Sequence, residues 1–230
     1  MRSDSVVIFS NWLKNKIIMK TFAIVPAKTF ENAKTRLSLM LDIDERIRLS
    51  SLLLDYTLDV LANVPYLTQV VVVSADKRAK EIAAKHGANF VHEEKDNGVN
   101  SAVAKADSYC IRENADATIV IPHDLPLLDP IDITRASDLA KNEGKCIVIC
   151  PSLRCDGTNM LLRKPPSVIG TFYDCDSYNM HIKSAISLRV PVRLFLSKTV
   201  MYDLDTPEDA KQLANEAKDV KTLKFLRLRF

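Results

Sequence analysis

Three short apolar runs rich in Val and Ile, at 21–26, 69–74 and 117–122, are the feature that most constrains the fold of this sequence. Longer stretches with apolar residues at helical spacing separate these runs. Buried parallel strands with crossover helices give this pattern, because helices cover both faces of a parallel sheet. The sequence therefore predicts an α/β fold with a mixed, mainly parallel sheet flanked by helices.

Further helices and strands are predicted along the rest of the chain. The stretch 44–61 repeats apolar residues at helical spacing and has acidic residues in its first turn, which is typical of a helix facing the core. The other predicted elements are helices at 76–86, 100–113, 132–142, 177–187 and 207–217 and strands at 145–150, 158–163 and 192–196. At least one of the late strands is expected to be antiparallel to its neighbours.

The domain organisation follows from length and from the absence of internal boundaries. A chain of 230 residues fits one α/β domain, and no repeat or linker rich in Gly, Pro or Ser divides it. We predict a single domain over 19–230. Residues 1–18 precede the first strand pattern and are expected to form an N-terminal extension, with Met19 as an alternative start.

Charge and cysteine content exclude several classes of protein. The formal net charge of +3 is small beside 32 basic and 29 acidic residues, so neither nucleic acid nor an anionic membrane is expected as a partner. No apolar stretch approaches the roughly 20 residues that span a bilayer, and no export cleavage site follows the N-terminal run. The five cysteines form no C-x-x-C pair. A cytoplasmic protein without disulfides is predicted.

The loop after the first predicted strand carries three cations, Lys28, Lys34 and Arg36. In an open α/β sheet, the carboxyl ends of the strands open onto the ligand crevice. Phosphate groups are the ligands that such a loop could bind there, and a solvated basic loop is the alternative. A P-loop is excluded, because its Gly-rich pattern and Lys-Ser/Thr pair are absent.

A carboxylate, Asp124, follows the third apolar run between Pro122 and Pro126. This position would expose it at the rim of the sheet. Mg²⁺ prefers oxygen ligands, usually one or two carboxylates together with substrate phosphates. Asp124 is therefore a candidate metal ligand, and a turn or helix-cap aspartate is the alternative.

A second acidic segment lies at 202–209. Thr206 and Asp209 form a capping-box pattern that accounts for much of it as a helix start. Asp203 and Asp205 are two residues apart, so in an extended segment both point to the same side and could face Asp124. Three converging carboxylates repel one another, which predicts one or two Mg²⁺ ions among them.

Several weaker signals have both a functional and a structural interpretation. Ser74 and Asp76 end the second predicted strand, and each is equally typical of a helix cap. Gly157 fits a turn. Ser177 and His181 lie one helical turn apart, and a cap and a packed histidine are the alternatives.

Taken in order, the motifs resemble the 2-phospho-L-lactate guanylyltransferase family, which works in the biosynthesis of the deazaflavin coenzyme F(420). They are P-x-K-x5-K-x-R-L at 26–37, G-V-N at 98–100, D-L-P-L-L at 124–128, G-T-N at 157–159, S-x3-H at 177–181 and D-x-D-T-P-E-D at 203–209. The resemblance covers the chain from Met19 to about Ala217. It implies a nucleotide-diphospho-sugar-transferase fold and attack of a substrate phosphate on the α-phosphorus of GTP, with pyrophosphate leaving.

The resemblance also implies roles for individual residues. It places Lys28, Arg36 and Asp124 in catalysis, and it makes GTP and a small phosphorylated hydroxy acid the partners. Nucleotide binding is implied for Pro26, Lys28, Lys34, Arg36, Ser74, Asp76 and Asn100, acceptor binding for Thr158, Asn159 and Ser177, and Mg²⁺ binding for Asp124, Asp203 and Asp205.

The chain departs from the family pattern at two places. His123 stands where a small residue is usual before the metal-binding aspartate, and Asp174-Cys175-Asp176 stands where a glycine is usual before Ser177. Two rival functions stay open at this point: guanylyl or cytidylyl transfer to another small phosphorylated acceptor, and nucleotide binding by a regulatory protein without catalysis.

The C-terminal segment 224–230 alternates charged and apolar residues. This pattern favours an edge strand or a subunit contact over an anion site. A homodimer is a plausible consequence.

Overall fold

The computed structural model describes residues 19–216 and Phe225, and its central feature is a seven-stranded sheet. The N-terminal extension predicted at 1–18 lies outside the described residues, as does the segment 224–230 apart from Phe225. That residue is helical, and its ring centroid lies 5.4 Å from Arg48 Cζ. A strand is therefore not formed at Phe225.

The sheet has the order β3-β2-β1-β4-β6-β5-β7. Its strands are β1 (Thr21–Pro26), β2 (Leu67–Ser74), β3 (Asn89–His92), β4 (Ala117–Val120), β5 (Cys146–Pro151), β6 (Thr158–Lys164) and β7 (Val192–Leu194). β1 pairs in parallel with β2 and β4, whereas β6 runs antiparallel to both β4 and β5. The prediction of a mainly parallel sheet with an antiparallel late strand is confirmed.

The reversed direction of β6 decides which residues meet at one edge of the sheet. Because β6 is antiparallel to β4, its amino end lies at the same edge as the carboxyl ends of β4 and β1. Thr158, the first residue of β6, pairs with Pro151, the last of β5. The motif at the start of β6 therefore lies beside the motifs that follow β1 and β4.

Helices cover both faces of the sheet. They are α1 (Ile43–Ala62), α2 (Lys77–Lys85), α3 (Val99–Arg112), α4 (Pro130–Ala140), α5 (Ser177–Ser187), α6 (Lys198–Met201) and α7 (Pro207–Glu216). Ala23 and Val25 of β1 belong to the core under α1, α2 and α4, whereas Phe22 and Ile24 belong to the core under α3 and α5. Both faces of β1 are buried, which explains its unbroken apolar run.

Sequence patterns missed β3 and α6. β3 lacks a run rich in Val and Ile, and α6 is little more than one helical turn, too short for helical periodicity. The predicted starts of α1 and α7 lie within one residue of the observed ones. Asp42 and Glu45 form a capping box at α1, and Thr206 and Asp209 form the predicted one at α7. In the part of the chain that the structure describes, no helix has both the length and the apolar character to cross a membrane.

Candidate active site

A cavity of about 480 Å³ lies at the edge of the sheet where β1 and β4 end and β6 begins, a size typical of small-molecule sites. It brings together five segments of the chain, at 26–36, 123–124, 158–159, 173–177 and 203–205. Its lining includes Pro26, Lys28, Lys34, Arg36, His123, Asp124, Thr158, Asn159, Tyr173, Ser177, Asp203 and Asp205.

Lys34 is the centre of the ionic contacts in this cavity. Its side chain is only 5% exposed, and its Nζ lies 2.8 Å from Asp124 Oδ2 and 4.0 Å from Asp205 Oδ1. Its backbone is left-handed, with φ 53°, a conformation that costs energy for a lysine. The local strain is held by the surrounding structure and is consistent with a functional constraint.

Asp205 also pairs with the second loop cation, since Arg36 Nη1 lies 2.5 Å from its Oδ2. Arg36 is 68% exposed and Lys28 is also exposed, so both can reach a ligand from the solvent side. The predicted basic loop is thus anchored by one buried lysine, while its other two cations stay accessible.

Two neighbouring carboxylates have opposite pKa shifts. Burial alone would raise the pKa of Asp124, but the charge of Lys34 and its hydrogen bond to Asp124 outweigh burial and hold this pKa below its usual value. The pKa of Asp203 is raised, first by burial and then by the negative charge of Asp124. The site therefore has an excess of negative charge at Asp203 that a cation would relieve.

The structure differs from the expected convergence of three carboxylates on a metal, because the ammonium of Lys34 lies between Asp124 and Asp205. Within residues 19–216 and at Phe225, no group of three or more His, Cys, Asp or Glu is arranged to hold a metal ion. The donor chemistry nonetheless fits Mg²⁺ bound jointly with phosphates, since one or two hard oxygen ligands from the protein suffice. The observation that supports this fit is that Asp124, Asp203 and Asp205 line one cavity, where burial and the charge of Asp124 raise the pKa of Asp203.

The opposite wall of the cavity carries hydroxyl groups at the start of α5. Ser177 Oγ lies 3.2 Å from Thr158 Oγ1, and both residues are buried. The residue before the helix, Asp176, is left-handed and makes no side-chain cap to the first turn. Amide groups at such an uncapped helix start can bind an anion.

Asn159 stabilises this wall of the cavity through hydrogen bonds. Its Nδ2 donates to the carbonyls of Val200 and Met201 and lies 3.2 Å from Asp203 Oδ1. It thereby fixes the segment that carries Asp203, and its predicted contact with the acceptor stays a prediction.

The acidic residues that depart from the family pattern are exposed and held by amide side chains. Asp174 Oδ2 accepts from Asn100 Nδ2 at 2.8 Å, and Asp176 Oδ1 accepts from Asn179 Nδ2 at 2.8 Å. Neither aspartate is part of the cavity lining. The negative charges of Asp174 and Asp176 should therefore repel an anion near Ser177 less strongly than the sequence suggested.

Asn100 joins α3 to the segment before α5. Besides its bond to Asp174, its Oδ1 accepts from Tyr173 N at 2.8 Å. Both the nitrogen and the oxygen of the Asn100 amide therefore form hydrogen bonds within the protein, and the residue is not part of the cavity lining. Its predicted contact with guanosine stays a prediction.

Ser74 and Asp76 also lie outside the cavity lining. Asp76 caps α2, accepts from Phe30 N at 2.9 Å and pairs with Arg78 at 2.7 Å. Burial raises the pKa of Asp76, but the bonds from Arg78 and Phe30 outweigh it and the pKa is lowered. Ser74 Oγ accepts from Asp76 N. The structural interpretation accounts for all of these contacts.

His123 is buried against the loop after β1. Its Nδ1 lies 3.3 Å from the carbonyl of Pro26, which can only accept, so this nitrogen carries a proton. Its buried Nε2 has no hydrogen-bond partner among the described residues. Burial lowers the pKa of His123, so the ring is neutral and its free nitrogen is a hydrogen-bond acceptor.

Sequence reasoning missed Tyr173 and Arg154. Tyr173 belongs to the cavity lining, and Arg154 Nη2 lies 3.7 Å from Asp203 Oδ2. Neither stands in a motif of recognisable spacing, and only the folded chain brings them to the site.

Comparison with known proteins identifies the family. A family model described as "Guanylyl transferase CofC like" matches residues 21–230. The chain belongs to this family. The predicted resemblance is confirmed.

Relatives in this family are guanylyltransferases with two different acceptors in their names. A phosphoenolpyruvate guanylyltransferase of Rubrobacter xylanophilus is 35% identical over 195 residues, which are 85% of this chain and 94% of the relative. A 2-phospho-L-lactate guanylyltransferase of Methanothermobacter thermautotrophicus is 33% identical over 213 residues, 92% of each chain. The chain is therefore a nucleotidyltransferase of the guanylyltransferase type.

Solved structures support the fold. A Desulfovibrio desulfuricans G20 protein assigned to the nucleotide-diphospho-sugar transferases is similar with a TM-score of 0.74 and 16% identity, over 90% of this chain and 94% of that one. A Mycobacterium tuberculosis protein in complex with manganese is similar with a TM-score of 0.53 and 17% identity, over 86% of this chain and 100% of that one. The predicted nucleotide-diphospho-sugar-transferase fold is confirmed.

Proposed function

We propose that this protein joins GMP from GTP to 2-phospho-L-lactate, giving lactyl-2-diphospho-5'-guanosine and pyrophosphate in the biosynthesis of coenzyme F(420). Phosphoenolpyruvate is the second candidate acceptor, because a relative 35% identical bears that substrate in its name. 3-Phosphoglycerate is a third. The observation that carries the proposal is the single cavity lined by the cationic loop, the three carboxylates and the hydroxyl groups at the start of α5.

The reaction requires little covalent chemistry from the protein. An oxygen of the acceptor phosphate attacks the α-phosphorus of GTP, and the bond from that phosphorus to the bridging oxygen of the β-phosphate breaks. Pyrophosphate leaves with the electron pair of that bond. The attacking phosphate is already an anion, so no strong base is needed, and catalysis rests on alignment and charge neutralisation.

The two walls of the cavity would bind different substrates. Lys28 and Arg36 are the accessible cations for the triphosphate of GTP, and the buried Lys34 adds positive charge to the same cavity. Thr158 and Ser177, with the amides at the start of α5, offer donors of the right size for one phosphate or carboxylate group. The donor nucleotide and the acceptor acid would thus approach from opposite sides.

Mg²⁺ is the expected cofactor, and Asp124, Asp203 and Asp205 are the residues that would hold it together with phosphate oxygens. When bound, it would supply positive charge that neutralises negative charge on the oxygens of the transferring phosphoryl group. The occurrence of manganese in a protein of the same fold supports this choice. The cytoplasmic location and the homodimer stay predictions.

We expect the purified protein with Mg²⁺ to consume GTP in preference to ATP, CTP and UTP, and to release pyrophosphate only when a phosphorylated three-carbon acid is present. The measurement is pyrophosphate release with each nucleotide against 2-phospho-L-lactate, phosphoenolpyruvate and 3-phosphoglycerate. Activity with CTP equal to that with GTP would contradict the base assignment. Release with none of the acids would contradict the acceptor class.

Replacing Asn100 by aspartate is expected to raise KM for the acceptor acid about tenfold, a size typical of one lost hydrogen bond to a charged group. The new carboxylate would oppose Asp174 at the position of a 2.8 Å hydrogen bond and displace the segment before α5. Steady-state kinetics with both substrates varied measures this effect. Asn142→Asp makes the same change at an exposed position outside the cavity lining and is the control. A rise confined to KM for GTP would instead favour the guanosine contact that the family resemblance implies.

A further inference from the structure

His181 connects the two segments that form the hydroxyl wall of the cavity. It lies one helical turn after Ser177 and is completely buried. Its Nε2 accepts from the backbone N–H of Phe172 at 3.0 Å, and its Nδ1 lies 3.0 Å from Thr158 Oγ1. Both ring nitrogens are therefore engaged, one toward the segment before α5 and the other toward the start of β6.

The contact with Phe172 fixes the tautomer of the ring. A backbone N–H can only donate, so Nε2 must present its lone pair, and the proton of a neutral imidazole must lie on Nδ1. Burial, helped by the charge of Arg163 and opposed by the nearby backbone of Ser177, lowers the pKa of His181 to about 4. The ring is thus neutral near pH 7, and its Nδ1–H is directed toward Thr158.

This tautomer determines what the Thr158 hydroxyl can do. Its oxygen accepts from His181 Nδ1–H and from the Ser177 hydroxyl at 3.2 Å, and a hydroxyl oxygen has two lone pairs. Its own proton remains, with no other hydrogen-bond partner for it among the described residues. Thr158 is part of the cavity lining, so this proton is available to a ligand there.

We infer that His181 is a positioning residue that makes Thr158 an obligate hydrogen-bond donor to an anionic oxygen of the acceptor acid. The inference rests on the proposed function and adds to it a residue that helps select an anionic acceptor. A phosphate or carboxylate oxygen, which can only accept, matches such a donor. Without the fixed imidazole, the Thr158 hydroxyl could rotate and lose this preference.

Two variants of His181 separate its two hydrogen bonds. His181→Gln can keep an acceptor for Phe172 N–H but loses the donor to Thr158, whereas His181→Asn can keep that donor and loses the acceptor. We expect His181→Gln to raise KM for the acceptor acid about tenfold, the size of one hydrogen bond to a charged group, with KM for GTP nearly unchanged. His181→Asn is expected to raise KM for the acceptor acid less than His181→Gln does.

A double-mutant cycle shows whether His181 acts through Thr158. Thr158→Val should raise KM for the acceptor at least as much as His181→Gln, and combining the two changes should give no further rise. Independent structural damage would instead make the two effects multiply. Equal effects of the Gln and Asn variants, or a full product in the double variant, would overturn the inference.

The tautomer can be measured without turnover or substitution. In protein labelled with ¹⁵N-histidine, long-range proton–nitrogen couplings should show His181 as a neutral ring with its proton on Nδ1 between pH 5.5 and 8. A proton on Nε2, or a charged ring in that range, would overturn the inference. Failure of the unmodified protein to release pyrophosphate with any acid would overturn the proposed function, whereas turnover with an unchanged KM in His181→Gln would overturn the role of His181 alone.

Discussion

Replacing Asp124 by asparagine is expected to lower the rate of pyrophosphate release by at least about 100-fold, a loss typical of removing a charged group from a metal or phosphate site. Asp124 contacts Lys34 at 2.8 Å and lines the same cavity as Asp203 and Asp205. The amide keeps the shape of the side chain but removes the charge that would hold Mg²⁺ and orient Lys34.

The fold should survive this change. The side chain of Asp124 is 25% exposed, its backbone carbonyl still accepts from Leu204 N, and Lys34 keeps Asp205 at 4.0 Å. The melting temperature is therefore expected to stay close to that of the unmodified protein. Asp138→Asn, at an exposed position of α4, is the control for the loss of one negative charge. Normal turnover in Asp124→Asn, or loss of the folded state, would mean that Asp124 is a structural aspartate.

The second large effect is expected at the buried ion pair between Arg163 on β6 and Asp107 on α3. Arg163 is 1% exposed, and its two terminal nitrogens lie 2.6 and 2.7 Å from the two oxygens of Asp107. Thr118 and Ser167 add hydrogen bonds to the pair. Removing one partner leaves a charge buried without compensation, which typically costs ~3–5 kcal/mol of stability.

We therefore expect Asp107→Leu to lower the free energy of unfolding by ~3–5 kcal/mol. The double variant with Arg163→Met should recover most of that loss, because it removes both charges and replaces them with apolar side chains. Denaturant unfolding of the two single variants and the double variant measures the difference. Arg193→Met breaks an exposed pair with Glu143 and should have a much smaller effect. A single variant as stable as the unmodified protein would contradict the prediction.

Much of the fold could be predicted, because its signals are local. The Val- and Ile-rich runs predicted β1, β2 and β4. Acidic residues in the first turn indicated the start of α1, and the Thr206–Asp209 capping box that of α7. The cationic loop and Asp124 were recognised from their position after strands, and Asp203 and Asp205 from their spacing. What was missed is β3, which lacks a run rich in Val and Ile, and α6, which is little more than one helical turn.

The chemistry of the site was less predictable, because it depends on distances across the fold. The sequence alone identified Lys34, Asp124 and Asp205 as site residues, but it could not show that the lysine lies between the two carboxylates. It likewise could not decide whether Asp76 lies at a ligand or only at a helix cap. The contact with Arg78 and the bond from Phe30, 46 positions away, favour the cap.

The sequence by itself determined the α/β class, the family and the residue types that a nucleotidyl transfer needs, because periodicity and motif spacing are properties of the chain. Only the tertiary structure decided which of those residues share a cavity. The reversed strand β6 brings Thr158 to the edge where β1 and β4 end, and the packing of α5 places His181 against it. Such contacts join residues separated by 23 positions or more, so no local pattern encodes them.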